Sequence, residues 1–308
     1  MLLLLVMGGC NGCTPKIPHG NDPPPNKNDT SDDSDSSDSV DSVPPDTDSG
    51  PPAMCDHVEV EPNDTPDEAE SLEMEQWACG QFIDFLDLDW FTFTPTEPGW
   101  VTVRVEAAER GSSANPQVSV DGGGESAMVL DGYLTSDPLL VFPAEDLETW
   151  RLTLAETNLL YGEDYTWYLM ASLSKAPVDW DGEEAEPNDT FSEANELAMS
   201  TPTLAAIGSA GDFDWYKIHT TEEGEQTLTI NITAFKEGSV ADLSAALYDE
   251  DGTTVLREKT YGEIDYDRDP WFTKKVTGVK DLYVFVRNEK ETGSRFHWYT
   301  LEVTSTIE

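Results

Sequence analysis

Positive charge is what this chain has least of. Seventeen Lys and Arg stand against 62 Asp and Glu, a formal charge of −45 over 308 residues. Nucleic acid is thereby excluded as a partner, because binding phosphates needs Lys and Arg. The excess acid describes a soluble, self-repelling particle that attracts cations. Adaptation to a salty habitat would leave the same balance, so charge alone does not choose a function. Histidine is equally sparse: only His19, His57, His219 and His297 occur. Neither His-Glu-x-x-His nor Gly-x-Ser-x-Gly is present, which removes two common hydrolytic signatures. The chain is expected not to be an enzyme. Cysteine is limited to Cys10, Cys13, Cys55 and Cys79. The apolar stretch at Met1–Gly9 is too short to cross a bilayer.

What the chain does have is a repeat. Glu-Pro-Asn-Asp-Thr occurs at 61–65 and again at 186–190. Each copy is followed by an acidic-aromatic cluster, Asp87-Leu-Asp89-Trp90-Phe91 and Asp212-Phe-Asp214-Trp215-Tyr216. The offset is 186 − 61 = 125 in both pairs. Two matched clusters in one register make the chain a tandem of a single module. Val103 and Val105 then align with Leu228 and Ile230. Later, Leu152 and Leu154 align with Tyr283 and Phe285, Gly162 with Gly293, and Trp167-Tyr168 with Trp298-Tyr299. That second offset, 131, predicts six extra residues inside the second module. The expected boundaries are a leader at 1–13, a tether at 14–53, and modules at 54–176 and 177–308. Modules of this size can each bury a core.

The leader ends in Met7-Gly8-Gly9-Cys10. Small residues before a cysteine resemble a bacterial lipoprotein signal, which implies lipidation of Cys10. Cys13 is the secondary candidate. A basic n-region is missing, so the start codon is expected upstream. The implied location is the bacterial cell envelope, lipid-anchored at the outer membrane, or secreted. Residues 28–50 hold eight Asp, seven Ser and no Lys or Arg. Such a segment cannot bury enough surface to fold and is predicted to be a disordered, extended spacer. Asp33, Asp35 and Asp38 lack the glycine of an EF-hand turn.

Period-two patterns dominate both modules. Val101, Val103 and Val105 alternate with polar residues, as do Leu228, Ile230 and Ile232. Further strands are predicted at 117–120, 139–142, 150–154, 165–173, 243–248, 254–257, 282–287 and 298–303. Helix is confined to short pieces at 66–72 and 191–197. Many short antiparallel strands mean an all-β chain, two tandem β-sandwich, jelly-roll-like modules. Trp90 and Trp215 recur and are expected in the cores. Trp100 lies on the outward parity of its strand and is the candidate ligand-binding residue.

The acidic motif extends to Glu-x-Glu-Pro-Asn-Asp, at Glu59, Glu61, Asn63 and Asp64, and at Glu184, Glu186, Asn188 and Asp189. Residues two apart on an extended segment share a face. Proline stiffens it, and Asn-Asp favours a turn. Asp87 and Asp89, or Asp212 and Asp214, add further carboxylates. Clustered acids without a basic neighbour repel unless a cation joins them. Calcium, with its six to eight oxygen ligands, fits that set. Zinc does not, without His or Cys. A simpler reading makes Asp64 or Thr65, and Asp189 or Thr190, the N-caps of the short helices. Cys55 and Cys79 flank the first motif, and their equivalents at offset 125 are Trp180 and Leu204. Joint presence in one module and joint absence in the other indicate a disulfide, which export permits. Two buried thiols would be the alternative.

With these motifs in order, the chain resembles the bacterial pre-peptidase C-terminal domain family. The shared features are Glu-Pro-Asn-Asp-Thr, Asp-x-Asp-Trp-Phe/Tyr and a late aromatic strand ending Tyr299-Thr300-Leu301. The resemblance implies a small β-sandwich in each module, with calcium held by the N-terminal acids and the Asp-x-Asp pair. It also implies a non-catalytic binding module for extracellular protein or polysaccharide, as in the collagen-binding relatives. The chain is expected to be a monomer. An accessory or targeting role in a secreted peptidase system is the alternative, with an uncharacterised hydrolase behind it.

Overall fold

The computed structural model describes residues 55–130, 132, 135–145, 147–176, 181–259 and 268–307. Cys10, Cys13 and the tether at 14–53 lie outside the described residues.

Among the described residues the first module contains ten strands. They are β1 (His57–Val58), β2 (Glu70–Ser71), β3 (Ala78–Gln81), β4 (Leu88–Phe93), β5 (Gly99–Glu106), β6 (Pro116–Gly122), β7 (Glu125–Val129), β8 (Leu139–Ala144), β9 (Trp150–Glu156) and β10 (Thr166–Ser174). The second module repeats them as β11 (Gly182–Glu183), β12 (Asn195–Glu196), β13 (Thr203–Ala206), β14 (Phe213–His219), β15 (Glu225–Thr233), β16 (Leu243–Tyr248), β17 (Val255–Lys259), β18 (Trp271–Thr277), β19 (Asp281–Asn288) and β20 (Trp298–Ile307). Each module folds into two five-stranded sheets. The orders are β1-β3-β10-β5-β8 and β2-β4-β9-β6-β7, then β11-β13-β20-β15-β18 and β12-β14-β19-β16-β17. Order and pairing are the same in both. The chain is therefore all-β, with two β-sandwich modules.

Alternation explains the packing. Val101, Val103 and Val105 are buried while Thr102 and Arg104 are not. On β4 the inward parity belongs to Asp89, Phe91 and Phe93. That corrects the expectation for Trp90 and Trp215. Both sit half-buried on the outer face of their sheets, because the alternate positions point inward. Trp215 packs there against Phe285, Tyr248 and Phe191.

The strands are not all antiparallel. β1 pairs parallel with β3 and β2 with β4, and β11 with β13 and β12 with β14 follow suit. The motif segment leaves one sheet and enters the other, adding a two-residue strand to each. Strands that short carry no readable period. The predicted helices are also corrected. Residues 191–193 form one 3₁₀ turn, and residues 66–68 form only a turn. No side chain caps the turn at 191–193. Asp64 and Asp189 instead accept from Leu88 and Phe213 across the module.

The late alignment is off by one residue. Trp167 pairs with Gly80, and Tyr299 with Ala205. Because 80 and 205 differ by 125, Trp167 corresponds to Tyr299, an offset of 299 − 167 = 132. Leu152 and Leu154 correspond to Val284 and Val286, and Gly162 to Ser294. β5 and β15 differ by 127, since Val105 pairs with Leu169 and Ile232 with Leu301. Val103 thus matches Ile230, and Trp100 matches Thr227. The second module carries 132 − 125 = 7 extra residues, two before β15 and five between β16 and β19. An adjacent pair of aromatics looks alike in either register, but a one-residue slip would turn every inward side chain outward.

The modules share packing. Phe296 of the second module lies fully buried within the first module's core, 4.9 Å from Phe142 and 6.0 Å from Trp150 between ring centres. Trp298 donates Nε1–H to the Val141 carbonyl at 2.7 Å, and Val141 N–H donates to the Gly238 carbonyl at 2.8 Å. Trp100 rests edge-on against Trp298 at 5.1 Å. Its outward parity therefore leads to the neighbouring module. Cys55 and Cys79 are joined as a disulfide, with Cα atoms 5.8 Å apart.

Candidate metal centre

Glu59 follows β1 directly, and its Oε1 accepts the Gln81 N–H at 2.6 Å. Two residues on, Glu61 Oε2 accepts from the Asn63 N–H at 3.1 Å. Asn63 is fully buried, and its carbonyl accepts from the Trp90 N–H at 3.1 Å. That bond ties the motif to β4, where Asp89 is also fully buried. Asp87 Oδ2 accepts from the Ile83 N–H. The chain thus draws Glu59, Glu61, Asn63, Asp64, Asp87 and Asp89 together. Ligand atoms of Glu59, Glu61 and Asp89 lie within 4.8 Å of one another, as do those of Glu61, Asp64 and Asp87. Glu61 belongs to both groups.

The second module brings Glu184, Glu186 and Asp214 within the same 4.8 Å. Asn188 is fully buried and donates to Glu184 Oε2 at 3.2 Å. Asp189 and Asp212 line the adjoining cleft of about 500 Å³, with Gly208 and Glu186. Two phenols complete this site. Tyr216 donates to Glu184 Oε2 at 2.7 Å, and Tyr299 donates to Asp214. At the equivalent places the first module has Phe91 and Trp167, which bring no hydroxyl. The larger Trp167 is accommodated by Gly80, where a Cβ would stand 2.4 Å from its ring and 2.1 Å from Glu59 Oε1. Alanine and the smaller tyrosine occupy those two places in the second module.

Burial dominates the acidity of these groups. It pushes Asp89 up to about 11, with the neighbouring Glu59 charge adding to the effect. Glu59 rises to about 7 for the same leading reason. Glu184 rises to about 7 and Asp214 to about 9, again through burial first. Glu61, Asp87, Glu186 and Asp212 are all raised by burial, with like charges adding to it. Among the described residues, no Lys or Arg is found offsetting them.

Several supporting residues give no sign in the sequence. Glu70 accepts from Asn63 Nδ2 at 3.2 Å and from the Val60 N–H, while its other oxygen meets His57 Nε2 at 2.7 Å. It thereby holds the Asn63 amide, whose Oδ1 is buried without a hydrogen-bond partner. Asp137 and Asp269 each accept two backbone N–H groups at the start of a 3₁₀ turn. They form a repeated Asp-Pro pair whose offset of 132 hides it from a search at 125. Of the other histidines, His219 pairs with Asp281 at 2.8 Å and His297 bonds Ser294 and Thr292.

The donor set fits a hard cation. In the first module Glu61 Oε1, Asn63 Oδ1 and Asp87 Oδ1 are buried without a hydrogen-bond partner, and the adjacent Glu59 and Asp89 carboxyls leave Glu59 Oε2 and both Asp89 oxygens with no partner but each other. In the second, Asn188 Oδ1 and Asp214 Oδ1 are buried without a partner. Buried oxygens without partners are costly, about 1–3 kcal/mol each or more when charged. Every candidate donor is oxygen, which suits calcium and not zinc.

No family model and no curated protein sequence matches the chain. Among solved structures, it is similar to the pre-peptidase C-terminal domain of a collagenase from Bacillus anthracis. That match covers 39% of this chain and 100% of that one, at 12% identity and a TM-score of 0.30. Tandem family 51 carbohydrate-binding modules of a Streptococcus pneumoniae glycoside hydrolase match 74% of this chain and 83% of theirs, at 8% identity and a TM-score of 0.25. Tandem family 22 modules from Paenibacillus barcinonensis match over 70% and 83%, at 12% identity and a TM-score of 0.21.

Proposed function

We propose that the chain is a non-catalytic extracellular protein whose two β-sandwich modules are stabilised by calcium and bind an extracellular protein or glycan. One observation carries the calcium reading. Glu59, Glu61 and Asp89 and their counterparts Glu184, Glu186 and Asp214 converge within 4.8 Å in both modules, and each cluster holds buried oxygens without partners. Glu59, Glu61, Asn63, Asp64, Asp87 and Asp89 would hold the ion in the first module. Glu184, Glu186, Asn188, Asp189, Asp212 and Asp214 would do so in the second. The ion would supply the positive charge that no side chain there provides, and so pin the motif segment to both sheets. Repeated modules support a binding role, because linked sites gain from effective concentration.

The test is a thermal melt of the full chain with calcium and with chelator, alongside a glycan and matrix-protein array under the same two conditions. Calcium at a hundred times its Kd is expected to add about 2.7 kcal/mol per site. Identical melts would remove the calcium reading. An array without a single retained ligand would remove the binding reading.

A further inference from the structure

The ends of the two modules share a backbone and differ in chemistry. In the first module two loops meet beside the acid cluster. Phe82 N–H donates to the Tyr165 carbonyl at 3.0 Å, and Gly162 N–H returns a bond to the Phe82 carbonyl at 2.9 Å. From these joined loops Ile83, Phe85, Leu86, Leu159, Leu160 and Tyr161 project, each between 46 and 66% exposed. The second loop is built, not loose. Buried Glu156 accepts the N–H groups of Asn158 at 2.7 Å, Leu160 at 2.8 Å and Asn115 at 3.2 Å.

The second module shows that the fold does not require this apolar surface. Asn288 replaces Glu156 and accepts from the Asp242 N–H in the same way. Leu159 and its counterpart Glu291 both adopt left-handed backbone, φ 57° and 52°. Yet Ile83, Phe85 and Leu86 become Gly208, Ala210 and Gly211 there, and Leu159-Leu160-Tyr161 becomes Glu291-Thr292-Gly293. Left-handed backbone is strained for leucine, a residue that rarely adopts it. Six exposed apolar side chains at one end of a module mark an interaction surface.

Charge selects the occupant. Asp84, Glu163 and Asp164 lie on the same two loops. No Lys or Arg stands between Lys27 and Arg104, or between Arg151 and Lys175. A second copy would bring the same acidic rim and the same −45 charge, and an anionic bilayer would be repelled likewise. We propose that this end of the first module docks a protein segment whose apolar side chains are flanked by Lys or Arg. The proposal rests on the binding-module reading and names its surface and partner class.

The experiment measures anisotropy of a labelled peptide alternating leucine and lysine against the full chain, in calcium at physiological salt. A charge-neutral variant carries Ile83→Gly, Phe85→Ala, Leu86→Gly, Leu159→Asn, Leu160→Thr and Tyr161→Gly. Its unspecific attraction for a basic peptide is unchanged, and a melt reports its folding. The milder pair Phe85→Ala with Leu160→Thr serves should the larger set unfold. Affinity is expected to fall about tenfold or more in the variant, the scale of a lost anchor cluster, and a glutamate-leucine peptide is expected not to bind. Equal affinity for wild type and variant would overturn the proposal. So would equal binding of the glutamate peptide, binding to phosphatidylserine vesicles in place of the peptide, or a dimer in sedimentation that the variant abolishes. If the variant keeps the peptide and the array ligands alike, the surface is wrong while the binding-module reading stands. If the wild type retains neither an array ligand nor the peptide, the binding-module reading and the docking surface fall together.

Discussion

The two modules solve one problem in two ways. Both bury a ring of acids where the motif segment joins the sheets. The first closes the ring with Phe91 and Trp167, and adds a disulfide at Cys55–Cys79. The second supplies Tyr216 and Tyr299, whose hydroxyls donate to Glu184 and Asp214. Among the described residues, Tyr216 and Tyr299 thus partner one oxygen each of Glu184 and Asp214, where the counterparts Glu59 Oε2 and the Asp89 carboxyl have no hydroxyl to meet. The lesson is that a phenol and a cation can answer the same buried charge. On the proposed calcium reading, the first module would depend on the ion more. The same asymmetry reappears at the loop ends, apolar in one module and polar in the other.

The largest expected difference between the modules lies at the disulfide. Cys55→Ala with Cys79→Ala should destabilise the first module by about 3.5 kcal/mol, from the loop closed over 24 residues. Hydrogen exchange resolves the modules, and protection lost equally from β11–β20 would contradict the assignment. Next in size is the metal. Asp89→Asn should weaken calcium binding to the first module on the order of a hundredfold. The matching Asp214→Asn should weaken only the second. Calorimetric titration of each variant separates the two sites, and a first module whose affinity survives Asp89→Asn would argue against its role as a ligand. The smallest effect is the most specific. Tyr216→Phe with Tyr299→Phe removes both hydroxyls from the second site, as the first site lacks them. In chelator this should cost about 1 kcal/mol per lost hydrogen bond. Saturating calcium should then recover more stability in this variant than in the wild type, and equal recovery would show that the phenols do not substitute for the ion.

Much of this was legible before any coordinates. Two copies of Glu-Pro-Asn-Asp-Thr and of Asp-x-Asp-Trp placed the modules in register and named the acids that converge. Alternating Val101, Val103 and Val105 told strand from helix and inward from outward. Local pattern suffices there, because alternation and duplication are properties of the chain itself. It failed where identity depends on the partner strand. Trp167 next to Tyr168 reads the same in two registers, and only pairing with Gly80 or Ala205 separates them. Trp100 points out of its own sandwich, which the alternation predicted, but what lies beyond it is Trp298.

By itself, then, the sequence determined the duplication, the all-β class and the set of acids gathered at each module's start. Tertiary structure alone decided which hydroxyls answer those acids, that Phe296 completes the other module's core, and that Ile83 and Leu160 share one exposed end. The reason is physical. Periodicity and repetition act along the chain, whereas charge compensation and packing depend on atoms brought together from more than 80 residues apart, as Tyr299 and Asp214 are, with a separation of 85.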